Sequence, residues 1–239
     1  MKSLIVMPTY NERENIREIV PEILKFNVTS CDDVIFHILI VDDNSPDGTA
    51  KVVEELSVKH PEVNILHRKE KSGLGSAYIE GFKWGLKKDY DLFFEMDADF
   101  SHNPKYLPDF LEKIKEYDLL IGSRYYQGRI SVVNWDFKRV VLSNLANKYA
   151  RMVTGVPVND ATAGFKCFKR KVLESIDLDK IYSQAYSFQV EMNWRCHKAG
   201  FKIGEIPIIF YERRHGESKL SASIIGEGLW ILWKMRLKR

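Results

Sequence analysis

The chain has 239 residues, 45% of them hydrophobic and 29% charged, with a formal net charge of +3. That length buries one sizeable core without a cross-link. The three cysteines, Cys31, Cys167 and Cys196, are odd in number and too scattered for a disulfide framework or a zinc ribbon. The N-terminus opens on a short apolar strand with no basic region or long hydrophobic segment, so no leader is expected and a reducing, cytoplasmic setting fits. Charge is uneven, with seven Lys/Arg against two Glu between Arg213 and Arg239. A basic tail on a nearly neutral body points to phosphate or an anionic membrane surface and away from nucleic acid, although a merely solvated basic terminus accounts for the charge equally well.

In chain order, short apolar runs alternate with helical patterns. Leu4–Met7, Val34–Val41, Val63–Leu66, Leu92–Met96 and Leu119–Ile121 are predicted strands. Helices are predicted over Asn15–Lys25, Thr49–His60, Ser76–Lys87 and Pro104–Tyr117. This alternation predicts an α/β fold with a mostly parallel central sheet flanked by helices. Beyond Arg124 it gives way to one long helix, Trp135–Val153. There is no internal repeat, low-complexity tract or Pro/Ser-rich linker.

Ligands of such sheets bind beyond the carboxyl ends of the strands, and four strand ends here carry polar clusters: Thr9-Tyr-Asn-Glu12, Asp42-Asp-Asn-Ser45, Asp97-Ala-Asp99 and Gly122-Ser-Arg124. Two carboxylates two residues apart, where a strand gives way to a loop, suit Mg2+ or Mn2+, hard cations that keep waters and complete their shell with substrate phosphates. An isolated Asp-x-Asp is more often a pair of solvated loop acids; the neighbouring strand ends reverse that balance. Tyr10 offers a face on which a base stacks, Asp43 offers acceptors for a base's N–H groups, and Arg124 with Arg213-Arg214 offers positive charge for phosphates. Asp47 has an ordinary helix-start role. Gly73-Leu-Gly75 lacks a full dinucleotide fingerprint and reads as a turn. No histidine pair has metal-ligand spacing, and none is assigned to catalysis.

Pro8-Thr-Tyr-Asn-Glu-Arg-Glu-Asn15, Val41-Asp-Asp-Asn-Ser-Pro-Asp-Gly-Thr49, Gly73-Leu-Gly75, Asp97-Ala-Asp-Phe-Ser-His-Asn-Pro104, Gly122-Ser-Arg-Tyr125, Gly164-Phe-Lys166 and Gly216-Glu-Ser-Lys-Leu220 stand in a fixed order. Together they resemble the family 2 glycosyltransferases of GT-A fold, specifically the dolichyl-phosphate (polyprenyl-phosphate) mannosyltransferases, over about nine tenths of the chain. The resemblance implies a GT-A catalytic domain over residues 1–220. It implies inverting transfer of mannose from GDP-mannose to dolichyl or polyprenyl phosphate, with Mg2+ or Mn2+. Pro8, Tyr10, Glu12, Val41 and Asp43 would hold the nucleotide, and Asp97, Ala98 and Asp99 the diphosphate, with Asp97 and Asp99 on the metal. Arg124, Arg213 and Lys219 would complete the donor site, with Asp97, Asp99 and Arg124 the catalytic set. Arg139 and Ser143, four apart on one helix face, correspond to family positions for the acceptor phosphate. Some relatives carry a ligating Gln where this chain has Ser101, and the role of Asp160 stays open. A UDP-glucose-dependent transferase and a non-catalytic nucleotide-sugar-binding scaffold are the alternatives.

Residues 221–239 form a separate expectation. The apolar stretch from Ile224 to Trp233 is too short for the roughly 20 residues that cross a bilayer. A basic, aromatic helix lying on the cytosolic face of a membrane, the same helix docking a small membrane-anchoring subunit, and a helix packed on the domain core all fit the pattern.

Overall fold

The computed structural model describes residues 1–29, 34–212 and 222–237; Cys31, Arg213, Arg214 and Lys219 lie outside them. The first half of the chain runs β1 (Lys2–Thr9), α1 (Arg13–Thr29), β2 (Ile35–Asp42), α2 (Thr49–Lys59), β3 (Val63–His67), α3 (Leu74–Leu86), β4 (Leu92–Glu95), α4 (Leu107–Lys113) and β5 (Leu119–Ser123). The second half runs β6 (Val132–Val133), α5 (Phe137–Thr154), β7 (Lys166–Lys169), α6 (Arg170–Ser175), α7 (Ala185–Lys198), β8 (Ile203–Pro207), β9 (Phe210–Tyr211) and α8 (Ala222–Leu237). The five strands and five helices expected from the sequence are all present. α4 is shorter than its pattern, because Pro104 and Pro108 break the segment into a 3₁₀ turn and a helix of seven residues.

The main sheet has seven strands in the order β3-β2-β1-β4-β7-β5-β8. All pairings are parallel except those of β7, which lies antiparallel between β4 and β5. β6 and β9 form a separate two-stranded ribbon. Strands buried on both faces carry continuous apolar runs, and β1 divides its own between two cores. Leu4 and Val6 face a core completed by α3, α5, α6, α7 and α8, while Ile5 and Met7 face one completed by α1, α2 and α4.

Close helix–sheet approach rests on small residues. A side chain at Gly81 of α3 would collide with Val6, so β1 and α3 meet at van der Waals distance only because that position is bare. α5 is closed at both ends: Asp136 Oδ1 accepts the Arg139 N–H at 2.7 Å, and Gly155 ends the helix at φ 73°. In α8, Ile231, Leu232 and Met235 are buried against the core while Trp230, Trp233 and Leu237 are exposed. Among the described residues no helix is long and apolar enough to cross a membrane.

Candidate active site

The parallel strands β1, β2, β4 and β5 end on the same edge of the sheet, which brings the four polar clusters together. Three of the ends turn through left-handed residues, Asn11 (φ 61°), Asn44 (φ 55°) and Phe100 (φ 63°). Asparagine tolerates that conformation; a phenylalanine in it is an outlier held by its surroundings. The first two loops are stitched to each other. Asp47 Oδ2 accepts the Arg13 N–H at 3.1 Å and Thr49 Oγ1 accepts the Glu12 N–H at 3.0 Å, so the β2–α2 loop caps α1 as well as starting its own helix.

At the ends of β1 and β2, Pro8 and Val41 face each other in register. Tyr10 is half-buried with Lys71 Nζ 4.3 Å from its ring centroid. Glu12 Oε2 accepts a hydrogen bond from Asn15 Nδ2 at 2.7 Å. Asp43 is paired with Arg68, a residue the sequence reading passed over because it follows β3, the one strand end not surveyed. Arg68 is itself buried and also reaches Glu80 at 3.0 Å and Ser76 Oγ at 2.7 Å. Burial pushes the Asp43 carboxyl up, and Arg68 pulls it back toward the ionised form.

Asp97 and Asp99 lie just past β4. The Asp97 N–H donates to His102 Nδ1 at 2.9 Å, and Tyr78 Oη donates to Asp97 Oδ1 at 3.3 Å. His102 stacks on Phe165 with centroids 5.1 Å apart, so it braces the acidic loop. Burial, then Asp97, raises the Tyr78 phenol well above its usual value, which keeps it a donor. Asp99 Oδ1 accepts the Ser101 N–H at 3.0 Å, and the buried Ser101 Oγ next to it has no hydrogen-bond partner. Two carboxylates and an orphaned hydroxyl in one loop fit a divalent cation that keeps waters and phosphate oxygens. No cluster of three or more His, Cys, Asp or Glu suited to a metal occurs among the described residues. Ala98 between the two acids is buried.

Arg124 follows β5 and is 5% exposed. Its Nε and Nη2 each lie 2.7 Å from the Asp160 carboxylate, and Nη2 also reaches Thr162 Oγ1 at 2.8 Å. Burial opposes the Arg124 charge, but Asp160 outweighs it and holds the guanidinium protonated. Glu205 accepts the Asp160 N–H at 2.9 Å, fixing the loop that carries it. Asp160 is fully buried and taken up by Arg124, which gives the acid left open in the sequence a structural partner. The guanidinium carbon sits 5.6 Å from the Trp135 ring and 5.4 Å from Phe210. Arg139 faces the same Trp135 at 4.1 Å and pairs with Glu212 at 2.7 Å. Ser143, half-buried, lies one turn further along α5. Arg139 and Ser143 therefore border the Arg124 cluster, while Arg213 and Lys219 lie outside the described residues.

Beneath the acidic loop, Glu95 and Lys166 are fully buried, with Nζ and Oε2 4.0 Å apart. Burial raises Glu95 to about 7 despite Lys166, and burial lowers Lys166. Glu95 ends the apolar run of β4 and Lys166 opens β7, paired in register. Nothing in a local pattern marks either as buried, because β7 was not legible as a strand.

Residues 4–177 match the glycosyl transferase family 2 description. The chain belongs to that family. Among relatives of this family 2 chain, the polyprenol monophosphomannose synthase of Mycolicibacterium smegmatis is 46% identical over 231 residues, covering 96% of this chain and 84% of the relative. The undecaprenyl-phosphate mannosyltransferase of Micrococcus luteus is 42% identical over 236 residues, covering 96% and 91%. Among solved structures, the mannosyl-3-phosphoglycerate synthase of Rubrobacter xylanophilus superposes with a TM-score of 0.71 at 17% identity, covering 100% of this chain and 74% of that one. The Mycobacterium tuberculosis glucosyl-3-phosphoglycerate synthase with Mn2+, UDP-glucose and phosphoglyceric acid gives 0.67 at 14% identity, covering 99% and 80%. The fold is GT-A, as the motif set implied.

Proposed function

We propose that this family 2 glycosyltransferase moves mannose from GDP-mannose to a polyprenyl phosphate such as dolichyl phosphate, with inversion, giving a polyprenyl β-D-mannosyl phosphate and GDP. The observation that carries the reading is the Asp97/Asp99 loop, with its orphaned Ser101 hydroxyl, on the sheet edge that also bears Asp43 and Arg124, with Arg139 of α5 sharing Trp135 with Arg124. The mannose and polyprenyl phosphate rest on the names of the two relatives above.

In this reading Tyr10 stacks on the guanine and Asp43, oriented by Arg68, accepts from its N–H groups, while Pro8, Glu12 and Val41 shape the pocket. Asp97 and Asp99 would hold Mg2+ or Mn2+, which when bound supplies positive charge to the leaving diphosphate. Tyr78 and His102 keep Asp97 aimed. A phosphate monoester, with its second pKa near 6, is largely ionised at neutral pH, so its oxygen attacks the anomeric carbon with no proton to remove. The bond from that carbon to the diphosphate breaks, and the electron pair leaves with GDP. This suits a site in which the buried Asp160 is held by Arg124. Arg139 and Ser143 bind the acceptor phosphate, and Arg124, Arg213 and Lys219 offset the donor's charge, so two anions approach without repelling. The protein works on the cytosolic face of a membrane, alone or with a small anchoring subunit.

The test is transfer of radiolabelled sugar to polyprenyl phosphate in detergent, from GDP-mannose and separately from UDP-glucose, with Mg2+ or Mn2+ and with chelator. Chelator-sensitive product from GDP-mannose is expected. Product from UDP-glucose alone would overturn the donor, and turnover unaffected by chelator would overturn the metal.

A further inference from the structure

Buried polar atoms are rarely left without a hydrogen bond in a folded protein. Between the end of β5 and the first turn of α5, three such atoms occur together. Tyr125 Oη, Trp135 Nε1 and Arg139 Nε are all buried and make no well-formed hydrogen bond with the described residues. The indole and guanidinium N–H groups can only donate. The Arg124 guanidinium carbon lies 5.7 Å from the Tyr125 ring and 5.6 Å from the Trp135 ring, and that of Arg139 lies 4.1 Å from the same Trp135. Two cations thus share one indole. Glu212 engages Arg139 through Nη1, which leaves Nε unused. Phe210 of β9 crosses the indole at 76° with centroids 5.5 Å apart and braces the ring.

We propose that Trp135 is a further ligand of the acceptor phosphate, donating from Nε1 to a phosphate oxygen beside Arg139 and Ser143, while its ring holds Arg124 and Arg139 at a fixed spacing. The proposal rests on the reading above, which puts the acceptor phosphate at Arg139 and Ser143. A monoester that has lost both protons offers only acceptors, and donor-only groups require nothing else. The indole N–H and Arg139 Nε then gain the partner that the protein itself does not give them. Two guanidinium ions repel each other, and the electron-rich face of an indole offsets that repulsion. Arg124 belongs to the proposed donor set and Arg139 to the acceptor set. One side chain therefore sets how far apart the cations of the two reacting anions stand, which is the alignment that a displacement between them needs.

The test is a titration of the full chain with farnesyl phosphate, in the presence of GDP and Mg2+, followed by calorimetry and by the indole N–H resonances of the nitrogen-labelled protein. The Trp135 resonance is identified by its absence from Trp135→Phe. It is expected to move downfield as farnesyl phosphate binds, the signature of a new hydrogen bond to an anion. Trp135→Phe keeps an aromatic face and loses the N–H, so it should bind farnesyl phosphate about tenfold more weakly, the scale of one hydrogen bond to a charged group. Its GDP affinity and melting temperature should match wild type. Trp135→Leu removes the face as well and should weaken GDP binding too, through Arg124. A wild type that binds farnesyl phosphate without moving this resonance overturns the proposal, as does a Trp135→Phe that binds it as tightly as wild type. Unchanged GDP affinity in Trp135→Leu overturns the shared-ring part. A wild type that neither binds farnesyl phosphate nor transfers sugar to any polyprenyl phosphate overturns the proposal together with the acceptor reading.

Discussion

At the scale of single residues, the acidic loop makes the sharpest demand. Asp99 is 4% exposed and its carboxylate is hydrogen-bonded to the loop it shapes. Asp99→Asn keeps that shape and removes the charge, so kcat should fall about a hundredfold or more while the melting temperature stays close to wild type. Arg139 Nη1 is engaged by Glu212, a carboxylate that would compete with the acceptor phosphate in the proposed reaction. Glu212→Gln should therefore lower the KM for the lipid acceptor about two- to fivefold, the scale of a partly exposed ion pair, and leave the GDP-mannose KM unchanged in steady-state assays.

Glu95 gives a prediction in pH. Its folded pKa is raised from 4.5 to about 7, mainly by burial, so between those values the native state holds a proton that the unfolded chain releases. Its contribution to stability is full below about pH 4.5 and is lost as pH rises through about 7. Denaturant titrations should find that Glu95→Gln loses less stability than the wild type as pH rises from about 4.5 to about 7. Tyr10, Asp43, Asp97, Asp99 and Arg124 were legible because each follows an apolar strand run, whereas Arg139, Ser143 and Lys219 came only from the resemblance to the family. The supporting residues were not legible: Arg68, Tyr78, Glu95 and Glu205 owe their roles to partners distant in sequence, and no local spacing encodes a meeting across strands.

Helices and strands were legible where periodicity was unbroken. The 18-residue α5 emerged almost at its observed bounds from its apolar spacing, and Asp136 and Gly155 cap it in the structure. Asp136→Ala should cost about 1 kcal/mol in chemical denaturation and should also raise the acceptor KM, since the same cap orders Arg139. β7 was missed because it is only four residues long and opens with a lysine. α3 shows how tight the packing is. Gly81→Ala forces a methyl against Val6, with Val41 close behind at 3.2 Å, and should destabilise the protein by about 1–3 kcal/mol. Because Val41 lines the proposed nucleotide pocket, the same variant should weaken GDP binding in calorimetry.

For the whole molecule, alternation predicted the layered α/β architecture, and the motif order predicted GT-A. The division at residue 220 is a weaker guide, because α8 belongs to the core through Ile231, Leu232 and Met235. The position of β7 has a further consequence, for the order in which the protein assembles. β5 touches no earlier strand; it joins the sheet only through β7 and β8. A chain emerging from the ribosome can pair β1, β2, β3 and β4 early, but β4 then waits with an open edge until Lys166–Lys169 has been made and has folded back. Non-local pairing of this kind is slow and exposes nascent chains to misassembly. Asp97 and Arg124 thus lie on pieces that form at different times, and catalytic competence would be acquired late, when one short antiparallel strand closes the gap.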